Sequence, residues 1–136
     1  MASKTIARSS MSGAQRLVLA LGLMSVAVPA ETAELDIAGN YGNEAGCRQA
    51  ETGDFDNDDM LLLTRKDVST YVTMCSFVQI FPAEADSQVM VVTCAHEGDE
   101  LTTLGLMRVQ KSQDGVDAYL IFDEDGTMWG KAGRCR

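Results

Sequence analysis

Apolar and polar positions alternate most clearly near the C-terminus. Val116, Ala118, Leu120 and Phe122 alternate with Asp117, Tyr119, Ile121 and Asp123, the period of a half-buried strand. Asp114-Gly115 precedes this run and Asp125-Gly126 follows it. Asp-Gly favours the positive φ angles of a two-residue hairpin loop, so each pair predicts a tight turn. Such a loop at Asp125-Gly126 sets Phe122 opposite Trp129, an aromatic pair suited to fixing the register.

Upstream the same strand-turn-strand pattern repeats. Leu35–Tyr41 reads as a first strand, ending in Gly39-Asn40-Tyr41. A loop rich in Gly, Asp, Glu and Asn runs from Gly42 to about Asp58. Met60–Thr64 is a short apolar strand, and Arg65-Lys66-Asp67 a turn. Val68–Phe81 is a long β-branched and aromatic strand, turned by Pro82–Asp86 and answered by Gln88–Ala95. His96–Glu100 is a polar turn before a strand over Leu101–Gln110. No helical period is sustained beyond the N-terminal segment, so the domain is predicted all-β. The expectation is an antiparallel up-and-down meander of about seven strands. It covers its edges by closing, or nearly closing, into a small barrel, in preference to a two-layer sandwich.

The N-terminus follows a different pattern. Lys4, Arg8 and Arg16 precede the apolar run Leu17–Val28, and no acid occurs before Glu31. Val28-Pro29-Ala30 then offers the small residues of a cleavage site, which makes residues 1–30 a secretory signal. The apolar run is shorter than the roughly 20 residues that span a bilayer. Cleavage after Ala30, with Ala33 as the second choice, leaves residues 31–136 as a single domain.

Cleavage also sharpens the charge. The chain carries 11 basic and 20 acidic residues, a net charge of −9. Removing Lys4, Arg8 and Arg16 leaves 8 basic against 20 acidic residues and a net charge of −12. Such a surface disfavours nucleic acid and anionic membranes and suits a basic protein. The chain is expected to be a periplasmic or secreted monomer without stable membrane insertion.

Four cysteines, Cys47, Cys75, Cys94 and Cys135, allow three disulfide connectivities. Hairpin geometry favours one of them. A turn centred between Glu84 and Ala85 places Cys75 opposite Cys94 and Phe77 opposite Val92. Directly opposed strand residues approach disulfide range. Cys47–Cys135 then remains. With seven up-and-down strands, the ends of the first and last lie on one rim, so this bridge closes the sheet. No Cys-x-x-Cys occurs, which argues against zinc or thioredoxin chemistry.

Candidate catalytic and metal groups are sparse. His96 is the sole histidine and reads as a solvent-exposed turn residue rather than a general base. Glu51, Asp54, Asp56, Asp58 and Asp59 form an acidic loop, and Asp54, Asp56 and Asp58 match the first three positions of a calcium loop. Asp59 then stands where that motif needs glycine, and Arg65 where it needs a bidentate glutamate. Asp123-Glu124-Asp125-Gly126 departs sooner, because Ile121 precedes it where a ligand belongs. No catalytic residue, cofactor or metal site is assigned.

Gly39-Asn40-Tyr41, Cys47, Cys75, Cys94 with Glu97-Gly98, and terminal Arg134-Cys135 resemble the pattern of a loose group of small exported bacterial proteins. The resemblance covers nearly all of residues 37–136 and implies a fold without naming a site. More distantly, the chain is similar to periplasmic lysozyme inhibitors, small disulfide-bonded β-barrels, although it has no Ser-Gly-x-x-Tyr stretch of theirs. The expected function is therefore a non-enzymatic binding protein of the cell envelope, acting through rim loops or its acidic face. A lysozyme-inhibitor-like protein and a weak calcium-binding module are the alternatives.

Overall fold

The computed structural model describes residues 33–55, 58–84 and 86–136. The expected signal at residues 1–30, Asp56 of the acidic loop and Ala85 of the central turn lie outside them. Among the described residues, eight antiparallel strands close into a barrel in chain order. They are β1 (Tyr41–Gly42), β2 (Leu61–Leu63), β3 (Asp67–Thr70), β4 (Thr73–Glu84), β5 (Ser87–His96), β6 (Thr103–Lys111), β7 (Ala118–Phe122) and β8 (Met128–Arg134). One helix, α1 (Glu44–Thr52), follows β1.

The strand count rises from seven to eight because Val68–Phe81 is not continuous. It breaks at Tyr71-Val72, where the Thr73 N–H donates to Thr70 Oγ1 at 3.2 Å and turns β3 into β4. A β-branched run has no Gly, Pro or Asn to announce that break. The first strand shrinks to Tyr41–Gly42. Residues 33–40 instead stay outside the strand ladder: Leu35 N–H donates to Arg65 O at 2.7 Å, in the turn between β2 and β3, and Leu35 and Ile37 join the core.

The expected loop after Gly42 contains α1, which corrects the all-strand reading. Nine residues are too few to display a helical period, and end chemistry defines this helix instead. Asn43 is the N-cap: its Oδ1 accepts from Gly46 N–H at 2.8 Å, and Glu44 stands in the first turn. Gly53 ends the helix in the left-handed conformation at φ 80°, returning its N–H to Gln49 O.

Cys75 stands opposite Cys94 and Phe77 opposite Val92. The turn lies one residue later than expected, between Glu84 and Ser87. Two irregularities in β4, at Phe77/Gln79 and Pro82/Glu84, restore the cysteine register. The last hairpin differs more. Asp123 N–H donates to Thr127 O at 3.0 Å and Gly126 N–H to Asp123 O at 3.1 Å, with Gly126 at φ 80°. This is a longer loop than the two-residue one expected. It brings Met128 opposite Phe122, and Trp129 falls at the bulge between β7 and β8 and packs on the core.

The core fills the barrel with Leu63, Val68, Cys75, Met90, Val92 and Ile121 among its most buried members. On β7 the inward face is Tyr119 and Ile121. Phe122 faces outward, where the Arg108 guanidinium stacks 4.3 Å above its ring. The polar-apolar alternation identified the strand but not its buried side, because both faces are largely apolar.

Barrel closure rests on a short seam. β1 pairs with β8 at only two positions, Tyr41↔Arg134 and Gly42↔Gly133. Three features reinforce it. Cys135 N–H donates to Asn40 O at 3.0 Å. Arg134 Nη2 donates to Ala38 O at 3.1 Å, and its Nη1 lies 3.4 Å from Asp117 Oδ2. The Cys47–Cys135 disulfide ties α1 to the end of β8, and Cys75–Cys94 spans β4 and β5.

Candidate functional site

A concave surface lies outside the barrel, between α1 with its following connection and the β3–β4 turn. Its volume is about 690 Å³. Asn43 positions the α1 side: beyond capping the helix, its Oδ1 accepts from Leu61 N–H at 3.1 Å and its Nδ2 donates to Asp59 O. Gly46 allows the helix to sit on β2, since a Cβ there would lie 1.9 Å from Leu61 O. Gln49 and Phe55 reach the groove from this side.

The β3–β4 turn supplies the other wall. Tyr71 and Val72 form its tip, and Met74 follows on the outward face of β4. Phe55 is 57%, Val72 50% and Met74 51% exposed, so the groove is edged by large apolar side chains left in water. Asp67 and Glu97 also line it, and no lysine or arginine does. Glu97 N–H donates to Val72 O at 2.8 Å, which holds the tip against the end of β5.

His96 is half-buried at the end of β5 rather than exposed in a turn. Its Nδ1 lies 2.8 Å from Thr73 Oγ1 and its Nε2 3.4 Å from Thr103 Oγ1. Both ring nitrogens are thus engaged by threonines on the two flanking strands. No carboxylate orients the ring among these contacts, so the arrangement is that of a positioned rim residue.

The acidic residues do not converge. Glu51 lies on α1, Asp54 follows its C-cap, and Asp58 and Asp59 lie in the connection to β2. Among the described residues, no three His, Cys, Asp or Glu side chains gather to hold a metal ion. Asp123 uses its carboxylate locally, its Oδ1 accepting from Asp125 N–H at 3.1 Å and Thr127 N–H at 2.8 Å. All four cysteines are consumed in disulfides.

Perturbed groups lie away from the groove, near the β6–β7 loop and the seam. Lys131 beside Asp114 pulls its carboxyl down to about 2, helped by the Ser112 hydroxyl and the Val116 N–H. Burial pushes the Tyr41 phenol up, and its bond to Asp117 Oδ1 at 3.2 Å adds to the shift. Burial also raises Tyr119, whose ring meets Tyr41 edge-on at 4.8 Å. The tyrosine shifts belong to a structural cluster beside the closure of the barrel, and the Asp114 shift to the β6–β7 loop.

Phe55, Tyr71, Val72 and Met74 are the groove residues that sequence reasoning missed. The available signal was Tyr71-Val72 itself, once read as a turn, since an apolar turn tip is normally avoided. No protein-family model, no curated protein and no solved structure matches the chain.

Proposed function

We propose that the chain is a non-enzymatic, exported binding protein that takes a basic partner protein on the groove between α1 and the β3–β4 turn. The observation that carries this reading is the exposed cluster Phe55, Tyr71, Val72 and Met74 around a concave surface of about 690 Å³. Apolar side chains clustered at a groove mark an interaction surface more often than a solvated one. Charge selects the partner. The groove presents Asp67 and Glu97 with no lysine or arginine among its described lining residues, on a domain with 8 basic and 20 acidic residues after Ala30. A cationic rim around an apolar anchor complements that surface.

Export is supported by two disulfides with no free cysteine, the chemistry of an oxidising compartment. Among the described residues, no helix is long and apolar enough to cross a membrane.

A lysozyme-inhibitor-like role is a specific form of this reading. A small, doubly disulfide-bonded closed β-barrel with an acidic surface favours it. Titration of the oxidised protein with a basic lysozyme tests it. The expected affinity is micromolar or tighter at low salt, weakening steeply as salt rises. An absence of heat at low salt removes the lysozyme reading and leaves other basic partners.

A further inference from the structure

The first half of β6 has a free strand edge. Ser112 N–H donates to Ala118 O at 2.8 Å, and Lys111 N–H donates to Asp86 O at 2.8 Å. Peptide groups along a strand point alternately to its two neighbours. Even-numbered residues of β6 therefore aim theirs towards β7, and odd-numbered residues towards β5. β5 stays paired along β6 as far as Cys94↔Thr103. β7 does not: its pairing stops at Arg108↔Phe122, where the chain turns through Asp123–Gly126. Leu104 and Leu106 thus direct their N–H and C=O groups past the end of the β7–β8 hairpin, where no strand of the described residues meets them.

Such edges are normally blunted by proline or charge. β4 follows that rule at its far end: beyond Phe77 it outruns β3, and after the exposed Val78 and Phe81 it carries Pro82 and Glu84. Residues 103–107 read Thr-Leu-Gly-Leu-Met, with neither. Leu104 is 74% and Leu106 48% exposed, adding apolar contact beside the free peptide groups. A groove of about 350 Å³ follows this edge, bounded by Trp129 and by Asp123, Glu124 and Asp125 at the hairpin tip. The Glu124 carboxylate lies close to the strand, 3.7 Å from where a Cβ on Gly105 would stand.

We propose that this edge accepts an extended, basic segment of a partner protein as an added strand. The peptide groups of Leu104 and Leu106 would supply the ladder. Apolar side chains of the guest would lie beside Leu104 and Leu106, and its cationic side chains would meet Asp123, Glu124 and Asp125. A second copy of this chain fits less well, since edge-to-edge pairing would face one acidic hairpin tip with another. The site is separate from the groove at Tyr71–Met74: it lies on the other side of His96, whose ring contacts Thr103.

The test is amide exchange and chemical-shift mapping on the oxidised protein, titrated with a short amidated peptide of alternating lysine and valine. Leu104 and Leu106 amides should gain protection by about tenfold or more at saturation. A glutamate-valine peptide and a fully N-methylated lysine-valine peptide should leave them unprotected. Glu124→Gln with Asp125→Asn, both exposed, should weaken the lysine-valine peptide by roughly threefold to tenfold. Three results would overturn the proposal. One is protection confined to other strands or to Tyr71–Met74. Another is equal binding of the N-methylated peptide, which would leave only surface charge. The third is concentration-dependent protection of Leu104 and Leu106 without peptide, which would assign the edge to a second copy.

Discussion

At the scale of the residue, two positions show how close contacts and charge shape the domain. Gly46 stands where an added Cβ would meet Leu61 O at 1.9 Å and Leu61 C at 2.6 Å. A helical Gly→Ala change ordinarily gains up to about 1 kcal/mol. Here the clash is with backbone, which cannot rotate away, and overpacking of this kind costs about 1–3 kcal/mol or more. Gly46→Ala should therefore lower the melting temperature by about 5–10 °C, and a rise would show that α1 does not press on β2. Asp114 provides a pH readout. Its folded pKa of about 2 lies below the ordinary 3.8, because Lys131 and two further donors favour the charged form. Its contribution to stability is then complete above pH 3.8 and is lost as pH falls towards 2. NMR titration should place the Asp114 midpoint near 2, and Lys131→Ala should move it back towards 3.8. A wild-type midpoint already at 3.8 would dissolve the pair.

At the scale of the element, the β1–β8 seam is the weak point, with two paired positions against the long β4–β5 and β5–β6 ladders. The Cys47–Cys135 bridge closes it across a sequence separation of 88, which the chain-entropy model equates with about 4–5 kcal/mol as an upper estimate. Cys47→Ser with Cys135→Ser should lower stability by up to that amount in denaturant unfolding. Hydrogen exchange should show Tyr41, Gly42 and Gly133 losing protection before β4 and β5. Uniform loss across the barrel would mean that the seam is no weaker than the rest.

The elements also show what a single sequence can carry. Cys75 opposite Cys94 came out of counting from a turn placed one residue too early, and it holds because the two irregularities in β4, at Phe77/Gln79 and Pro82/Glu84, move the register back. Cys47–Cys135 was legible as the remaining pair, but not for the reason of a shared rim. With eight strands the ends of β1 and β8 point to opposite rims, and it is α1, folding back after a two-residue β1, that delivers Cys47. The groove was not legible at all. It depends on the Tyr71-Val72 break, which lacks turn residues, and on α1, which announces itself only through Asn43 and Gly53 at its ends.

At the scale of the whole molecule, the parts define a closed, disulfide-bonded barrel with Phe55, Tyr71, Val72 and Met74 exposed around one groove. Its net charge of −9 is the ground on which a basic partner is proposed for the groove. The central claim is that a basic protein docks on the groove edged by Phe55, Tyr71, Val72 and Met74. Affinity capture from an extract of the source cell's envelope tests it most directly, comparing the oxidised wild type with a Val72→Asp, Met74→Asp variant of unchanged fold. The account predicts a basic protein held by the wild type at low salt, released as salt rises, and lost by the variant. Capture of nothing, capture of an acidic protein, or equal capture by the variant would contradict it.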